Sequence, residues 1–157
     1  PLTNPAKAPN QVIGVYDQSL IEPVANVLKS LGSRHVMVVH SADGLDELSI
    51  ADKTFIAELK DGNVNTYSIH PEELGFSLGD LNDLKAIDAE SSLTLIREAF
   101  SGQNGTAKDI ISLNAGAAIY VSGLTTSLQS GVDRANQALS NGSAQQKLDD
   151  YVKASNN

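Results

Sequence analysis

Asp43, Asp46 and Glu47 lie within five positions of one another, just after the apolar run Val36-Met37-Val38-Val39 and the pair His40-Ser41. A continuous apolar run of that length reads as a strand buried on both faces of an α/β sheet. In open α/β sheets the ligand crevice lies outside the carboxyl ends of the strands, so acids placed here stand where chemistry is expected. The adjacent carboxylates of Asp46 and Glu47 suit a hard cation such as Mg²⁺. That ion takes one or two carboxylates and completes its shell with waters and phosphate oxygens. Acids after a strand also serve as solvated turn residues or helix N-caps, and spacing alone does not separate the two uses.

The elements that must position this loop form an α/β front and a helical back. Pro1 to Asn10, with prolines at 1, 5 and 9, reads as an extended entry segment. Val12 to Tyr16 has strand character. Ser19 is the expected N-cap of a helix whose Leu20, Val24, Val27, Leu28 and Leu31 share a face, and Gly32 stands where a C-cap belongs. With the Val36 run this makes a strand–helix–strand unit, which predicts parallel strands and a right-handed connection. Thr54 to Leu59 and Val64 to Ile69 flank Asp61-Gly62-Asn63, a hairpin signal, so the sheet should be mixed.

Downstream, Leu93, Ile96, Ala99 and Phe100 make a helical stripe closed by Gly102. Asp109 to Tyr120 is apolar on more than one side, as a central buried helix would be. Leu124 to Leu139 and Ala144 to Val152 read as amphipathic helices separated by Asn141-Gly142, and residues 154–157 as a frayed tail. The expected class is therefore α/β: a mixed, partly parallel sheet packed by helices, with a helical C-terminal half. Length predicts a single domain over residues 1–157.

Composition narrows the function classes. The chain has no cysteine, which removes disulfide and zinc–thiolate frameworks and fits a reducing, cytoplasmic setting. It has neither a long apolar segment nor a charged leader followed by an apolar stretch, so no membrane partner or secretory signal is expected. Its 11 basic and 19 acidic residues give a net charge of −8, and 4% aromatic content leaves few stacking platforms. Both argue against a nucleic-acid partner.

A series of segments carries a family resemblance: Pro1-Leu2-Thr3-Asn4-Pro5-Ala6, Gln11-Val12-Ile13-Gly14-Val15-Tyr16, and His40 through Asp43-Gly44-Leu45-Asp46-Glu47. It continues in Tyr67-Ser68-Ile69-His70-Pro71-Glu72-Glu73-Leu74-Gly75, Leu113-Asn114-Ala115-Gly116-Ala117 and Gly131-Val132. In that order they resemble the C-terminal half of the anthranilate phosphoribosyltransferases of tryptophan biosynthesis. The resemblance implies a glycosyltransferase, moving phosphoribosyl from phosphoribosyl pyrophosphate to anthranilate, and a truncated part of a larger α/β domain. It also implies that Asp46 and Glu47 hold Mg²⁺, that Asp43 orients the loop or a metal-bound water, and that Pro1 and Leu2 line the anthranilate path.

The family's Gly-Thr-Gly-Gly phosphate loop and Lys-His-Gly-Asn segment have no counterpart in these 157 residues. The chain alone is therefore expected to be inactive and to bind Mg²⁺ weakly. An uncovered strand edge would favour a non-native homodimer. Two alternatives share the fold: a non-catalytic nucleic-acid-binding paralogue, which the acidic balance disfavours, and a pyrimidine nucleoside phosphorylase-like enzyme.

The remaining polar positions have structural readings. His35, His40 and His70 share no metal-ligand spacing, and His40 is expected to hydrogen-bond within the fold. Asn114, set in an apolar helix, is expected to be a buried amide that locks two elements together. Ser41 stands where the family has glycine, which makes the backbone there less permissive to a phosphate.

Overall fold

The chain, described by a computed structural model over residues 8–156, folds around a four-stranded sheet of order β1-β2-β3-β4. Its strands are β1 (Asn10–Gly14), β2 (His35–Ser41), β3 (Thr54–Lys60) and β4 (Asn63–Ile69). β1 and β2 are parallel, and helix α1 (Ile21–Ser30) connects them. β2, β3 and β4 follow one another antiparallel, so the sheet is mixed, as the hairpin signal requires. Asp61 and Gly62 form a two-residue turn with φ of 50° and 75°, the left-handed pair that matches the twist of a hairpin.

Val36, Met37, Val38 and Val39 are each at most 1% exposed because helices cover both faces of β2. On one face Ile21, Ala25 and Leu28 of α1 pack on Val36, Val38, Ala57 and Leu59. On the other, Met37, Val39 and Ile56 pack on Leu48, Ile50 and on Leu113, Ala117, Tyr120 and Val121 of α3 (Thr106–Val121). Helices α2 (Ala89–Phe100), α4 (Leu128–Ser140) and α5 (Ser143–Ser155) complete the helical half. No helix among the described residues is long and apolar enough to cross a membrane.

Several boundaries differ from the sequence expectation. The cap before α1 is Asp17, whose Oδ1 accepts from the Ser19 backbone N–H at 2.8 Å and the Ser19 hydroxyl at 2.7 Å. A 3-10 turn, Gln18–Leu20, intervenes before the helix. The buried stripe of α1 is Ile21, Ala25 and Leu28, while Val27 and Leu31 are 45% and 61% exposed. Two stripes overlap on this helix, and the one containing the small Ala25 lets the helix approach the sheet. α2 starts at an Asp88 cap that pairs reciprocally with Ser91, and Leu93 lies outside its buried stripe. α4 starts at Leu128, capped by Ser127, because Gly123 and the residues after it bend away from the helical path. α5 runs through Ser155, two residues into the stretch read from sequence as a frayed end.

Near the amino end of β2, a carboxylate ties α3 to the sheet. Glu58 Oε1 accepts from the Tyr120 hydroxyl at 2.8 Å and lies 2.8 Å from His35 Nε2, and Glu58 Oε2 accepts from the Tyr67 hydroxyl at 2.9 Å. Lys60 Nζ donates to the Tyr120 oxygen at 3.0 Å. Burial pushes the Glu58 carboxyl up, but the bonds from His35, Tyr120 and Tyr67 together outweigh it and hold the group below its ordinary value. A depressed carboxyl stabilises the fold above its unfolded-state value and loses that contribution as pH falls through its folded value. Denaturant unfolding at pH 7 and at pH 3 should therefore show an acid-dependent loss that shrinks in Glu58→Gln. Glu58→Ala, which strands three donors, should cost about 2–3 kcal/mol at pH 7. Equal acid sensitivity in wild type and Glu58→Gln would remove Glu58 as the source.

Candidate functional site

Beyond Ser41 the chain turns sharply over the carboxyl ends of β1 and β2. Gly44 adopts φ +93°, a left-handed value that favours glycine, and its N–H donates to the Ser41 carbonyl at 3.0 Å. The Ser41 N–H in turn donates to the Leu45 carbonyl at 2.9 Å. Asp43 closes this turn from within. Its Oδ1 accepts from the Leu45 N–H at 3.3 Å, and its Oδ2 accepts from the Ser49 hydroxyl. Burial raises the Asp43 carboxyl, but hydrogen bonds from Ser41, Ser49 and the Leu45 backbone prevail and hold it below the usual range. Asp43 is thus spent on the loop's own shape.

Asp46 and Glu47 occupy the exposed crown of the loop, after which Leu48, Ser49 and Ile50 turn inward and are buried. The Glu47 carboxyl is pushed up, first by partial burial and then by the negative charge of Asp46 beside it. The contacts within ion-pair distance among the described residues are His35–Glu58 and His70–Glu72, so neither crown acid has a basic partner there. A nearby cation would relieve the repulsion between the two acids. No group of three His, Asp or Glu side chains is assembled for a metal among the described residues. Two exposed adjacent carboxylates without a third form a donor set that fits Mg²⁺, which keeps waters and phosphate oxygens in its shell. It would not fit an ion that demands a closed protein cage.

The backbone of this loop rests on a residue that carries no chemistry. Gly14, the last residue of β1, lies so close to Asp46 that a Cβ there would overlap the Asp46 carbonyl. Space, not dihedral freedom, excludes a side chain at this point. A glycine at the end of an apolar strand is the sequence sign of a close backbone approach, and in Val12-Ile13-Gly14-Val15 that sign was available. From the other side, the Leu48 N–H donates to Asn114 Oδ1 at 3.0 Å, and Asn114 Nδ2 donates to the Leu48 carbonyl at 2.9 Å and the Ile110 carbonyl at 3.0 Å. Asn114 therefore locks α3 to the loop, as its position in an apolar helix predicts, although it is half-buried rather than buried.

The other expectations also find their places. His40 Nδ1 lies 2.9 Å from the Val15 carbonyl and holds the segment after β1 against the end of β2, the structural role expected of it. Ser41 is fully buried, and its hydroxyl donates to the Lys53 carbonyl at 3.4 Å. Buried Ser49 and Thr54 form a polar seam that sequence reasoning missed, with the Ser49 N–H donating to Thr54 Oγ1 at 3.0 Å. Isolated hydroxyl residues carry no signal of that kind. The segment His70 to Gly75 folds as a capped 3-10 turn at the same end of the sheet, with the His70 N–H donating to Glu73 Oε1 at 2.8 Å. Pro1 and Leu2 lie outside the described residues.

The chain is similar to known proteins over nearly all of its length. The anthranilate phosphoribosyltransferase of Ruthia magnifica subsp. Calyptogena magnifica is 63% identical over 155 residues, covering 99% of this chain and 46% of the relative. That of Vesicomyosocius okutanii subsp. Calyptogena okutanii is 59% identical over the same share of each chain. The chain thus spans about half the length of the curated relatives it matches. Among solved structures, the anthranilate phosphoribosyltransferase of Thermus thermophilus superposes with a TM-score of 0.87 at 35% identity, over 96% of this chain and 44% of that one. The Saccharomyces cerevisiae enzyme, described in complex with PRPP and Mg, shares the fold with a TM-score of 0.77 at 23% identity, over 89% of this chain and 41% of that one. Residues 1–145 match the family described as "Glycosyl transferase family, a/b domain", and the chain belongs to that family.

Proposed function

We propose that this chain is the C-terminal part of an anthranilate phosphoribosyltransferase. The reaction breaks the bond between the ribose anomeric carbon and pyrophosphate and forms a bond from that carbon to the amine of anthranilate. The observation that carries the reading is the Asp46–Glu47 pair, presented on a braced loop at the carboxyl end of β2 with no cationic partner among the described residues. The names of the relatives and the Mg in the yeast structure support it.

In this reading Asp46 and Glu47 hold a magnesium ion, which when bound neutralises charge on the departing pyrophosphate. Asp43 keeps the loop folded through Leu45 and Ser49. Pro1 and Leu2, outside the described residues, would line the path of the aromatic acid, and the intact enzyme would work in the cytoplasm. β1 and β4 are the two edges of the sheet among the described residues, and such an edge is where two copies of this chain would form a non-native pair.

Titration of the chain with Mg²⁺, followed by NMR shifts, tests the reading. Two carboxylates without phosphate oxygens should bind in the millimolar range, about 4 kcal/mol, and Asp46→Asn should abolish the shifts at residues 46 and 47. The same sample, mixed with phosphoribosyl pyrophosphate and anthranilate, should leave anthranilate fluorescence unchanged, because the glycine-rich phosphate loop is not in this sequence. Micromolar binding centred elsewhere, or magnesium-dependent turnover by these residues alone, would refute the assignment.

A further inference from the structure

Glu47 lies between two fixed points of the backbone, and Asp46 carries the first of them. Before Glu47 the Asp46 carbonyl is seated against Gly14, and after it the Leu48 N–H and C=O are clasped by the Asn114 amide. That clasp copies the paired bonds two strands make with each other. The second Nδ2 hydrogen goes to the Ile110 carbonyl, so both amide hydrogens are engaged within the fold. α3 is a firm reference for this hold. Its Tyr120 is bonded to Glu58 on β3, and its Gly116 lies directly against α4.

From this geometry we infer that Asn114 is a positioning residue for the Asp46–Glu47 carboxylate pair. The Leu48 N–H belongs to the peptide plane that begins at the Glu47 carbonyl. Fixing that plane sets the Glu47 backbone and hence the direction its side chain takes from the crown. An apolar side chain at 114 would leave the Leu48 N–H and C=O, at a buried residue, without these partners, and the loop would leave its seat to find water. The consequence for metal binding rests on the function proposed above, whereas the clasp rests on hydrogen-bond geometry alone.

The test compares the ¹⁵N-labelled wild-type chain with Asn114→Leu and Ser112→Ala. Ser112 donates its hydroxyl to Asn136 Oδ1 at 2.8 Å, so its loss disturbs α3 on the side facing α4 and not on the loop side. In wild type the Leu48 amide should exchange as slowly as buried amides of α3. In Asn114→Leu the amides of residues 46–48 should exchange at least about tenfold faster, and Mn²⁺ affinity, read from paramagnetic broadening, should fall about tenfold, the usual effect of removing a group that orients a ligand. Ser112→Ala should change neither. A folded Asn114→Leu chain with unchanged Leu48 exchange overturns the inference. If that variant does not fold, the wild type decides: fast exchange at Leu48 overturns the clasp and slow exchange supports it. Absence of Mn²⁺ binding in wild type would count against the metal reading alone, and the exchange comparison would still judge Asn114.

Discussion

Gly14→Ala is expected to unseat the acidic loop. The added methyl would overlap the Asp46 carbonyl, so either the loop or the end of β1 must move. Overpacking of this severity costs at least about 3 kcal/mol, and the moving part carries both carboxylates. Gly44→Ala, in the same loop, provides the contrast. Gly44 has φ +93° with nothing within 4 Å of the place a methyl would take, so only backbone strain is added, about 1 kcal/mol. Denaturant unfolding with NMR of residues 43–49 separates the two. Gly14→Ala should shift the whole set of loop signals and lose the Mg²⁺ response, whereas Gly44→Ala should keep both largely intact. Unmoved loop signals in Gly14→Ala would show that β1 and the loop are not in contact as described.

Gly131→Ala is expected to lower the thermal unfolding midpoint by about 10 °C. A Cβ at Gly131 would overlap the Gly116 carbonyl, and one at Gly116 would lie 2.7 Å from Val132 Cα. α3 and α4 therefore cross with backbone against backbone, and the buried Val132 and Ala135 depend on that closeness. Forcing the helices apart loosens Leu113, Ala117 and Val132 together, at a cost of about 3 kcal/mol in a chain where each kcal/mol moves the midpoint by about 2–4 °C. Gln137→Ala, on the exposed side of α4, is the control and should move it by less than about 2 °C. A circular dichroism melt reads both. A shift in Gly131→Ala no larger than the control would mean that the helices have room to spare.

Much of this architecture was legible because local chemistry and global fold agree. The Val36–Val39 run reads as a strand covered on both faces and Asp61-Gly62-Asn63 as a hairpin signal, and the mixed sheet follows from these two short stretches. Asn114 was legible for a related reason: an amide in an apolar helix must find partners, and it found them in Leu48. Where two local patterns competed, the sequence was not enough. α1 carries overlapping stripes, and contact with the sheet chose Ile21, Ala25 and Leu28 over Val27 and Leu31. The caps Asp17 and Ser127 went unrecognised because several residues nearby could have served.

By itself, then, the sequence determined the strand that leads into the acidic loop, the hairpin beside it, and the adjacent carboxylates of Asp46 and Glu47. Each of these is a property of neighbours along the chain. Only the tertiary structure decided which acid would be spent on the loop and which would be presented. Asp43 is tied to Leu45 and Ser49, while Asp46 and Glu47 face outward between Gly14 and Asn114. Those two supports come from β1 and α3, far away in sequence, and they act through excluded space and backbone hydrogen bonds, which leave little trace in residue type. The side chains that could do chemistry were visible in the sequence, but the backbone contacts that aim them were visible only in the fold.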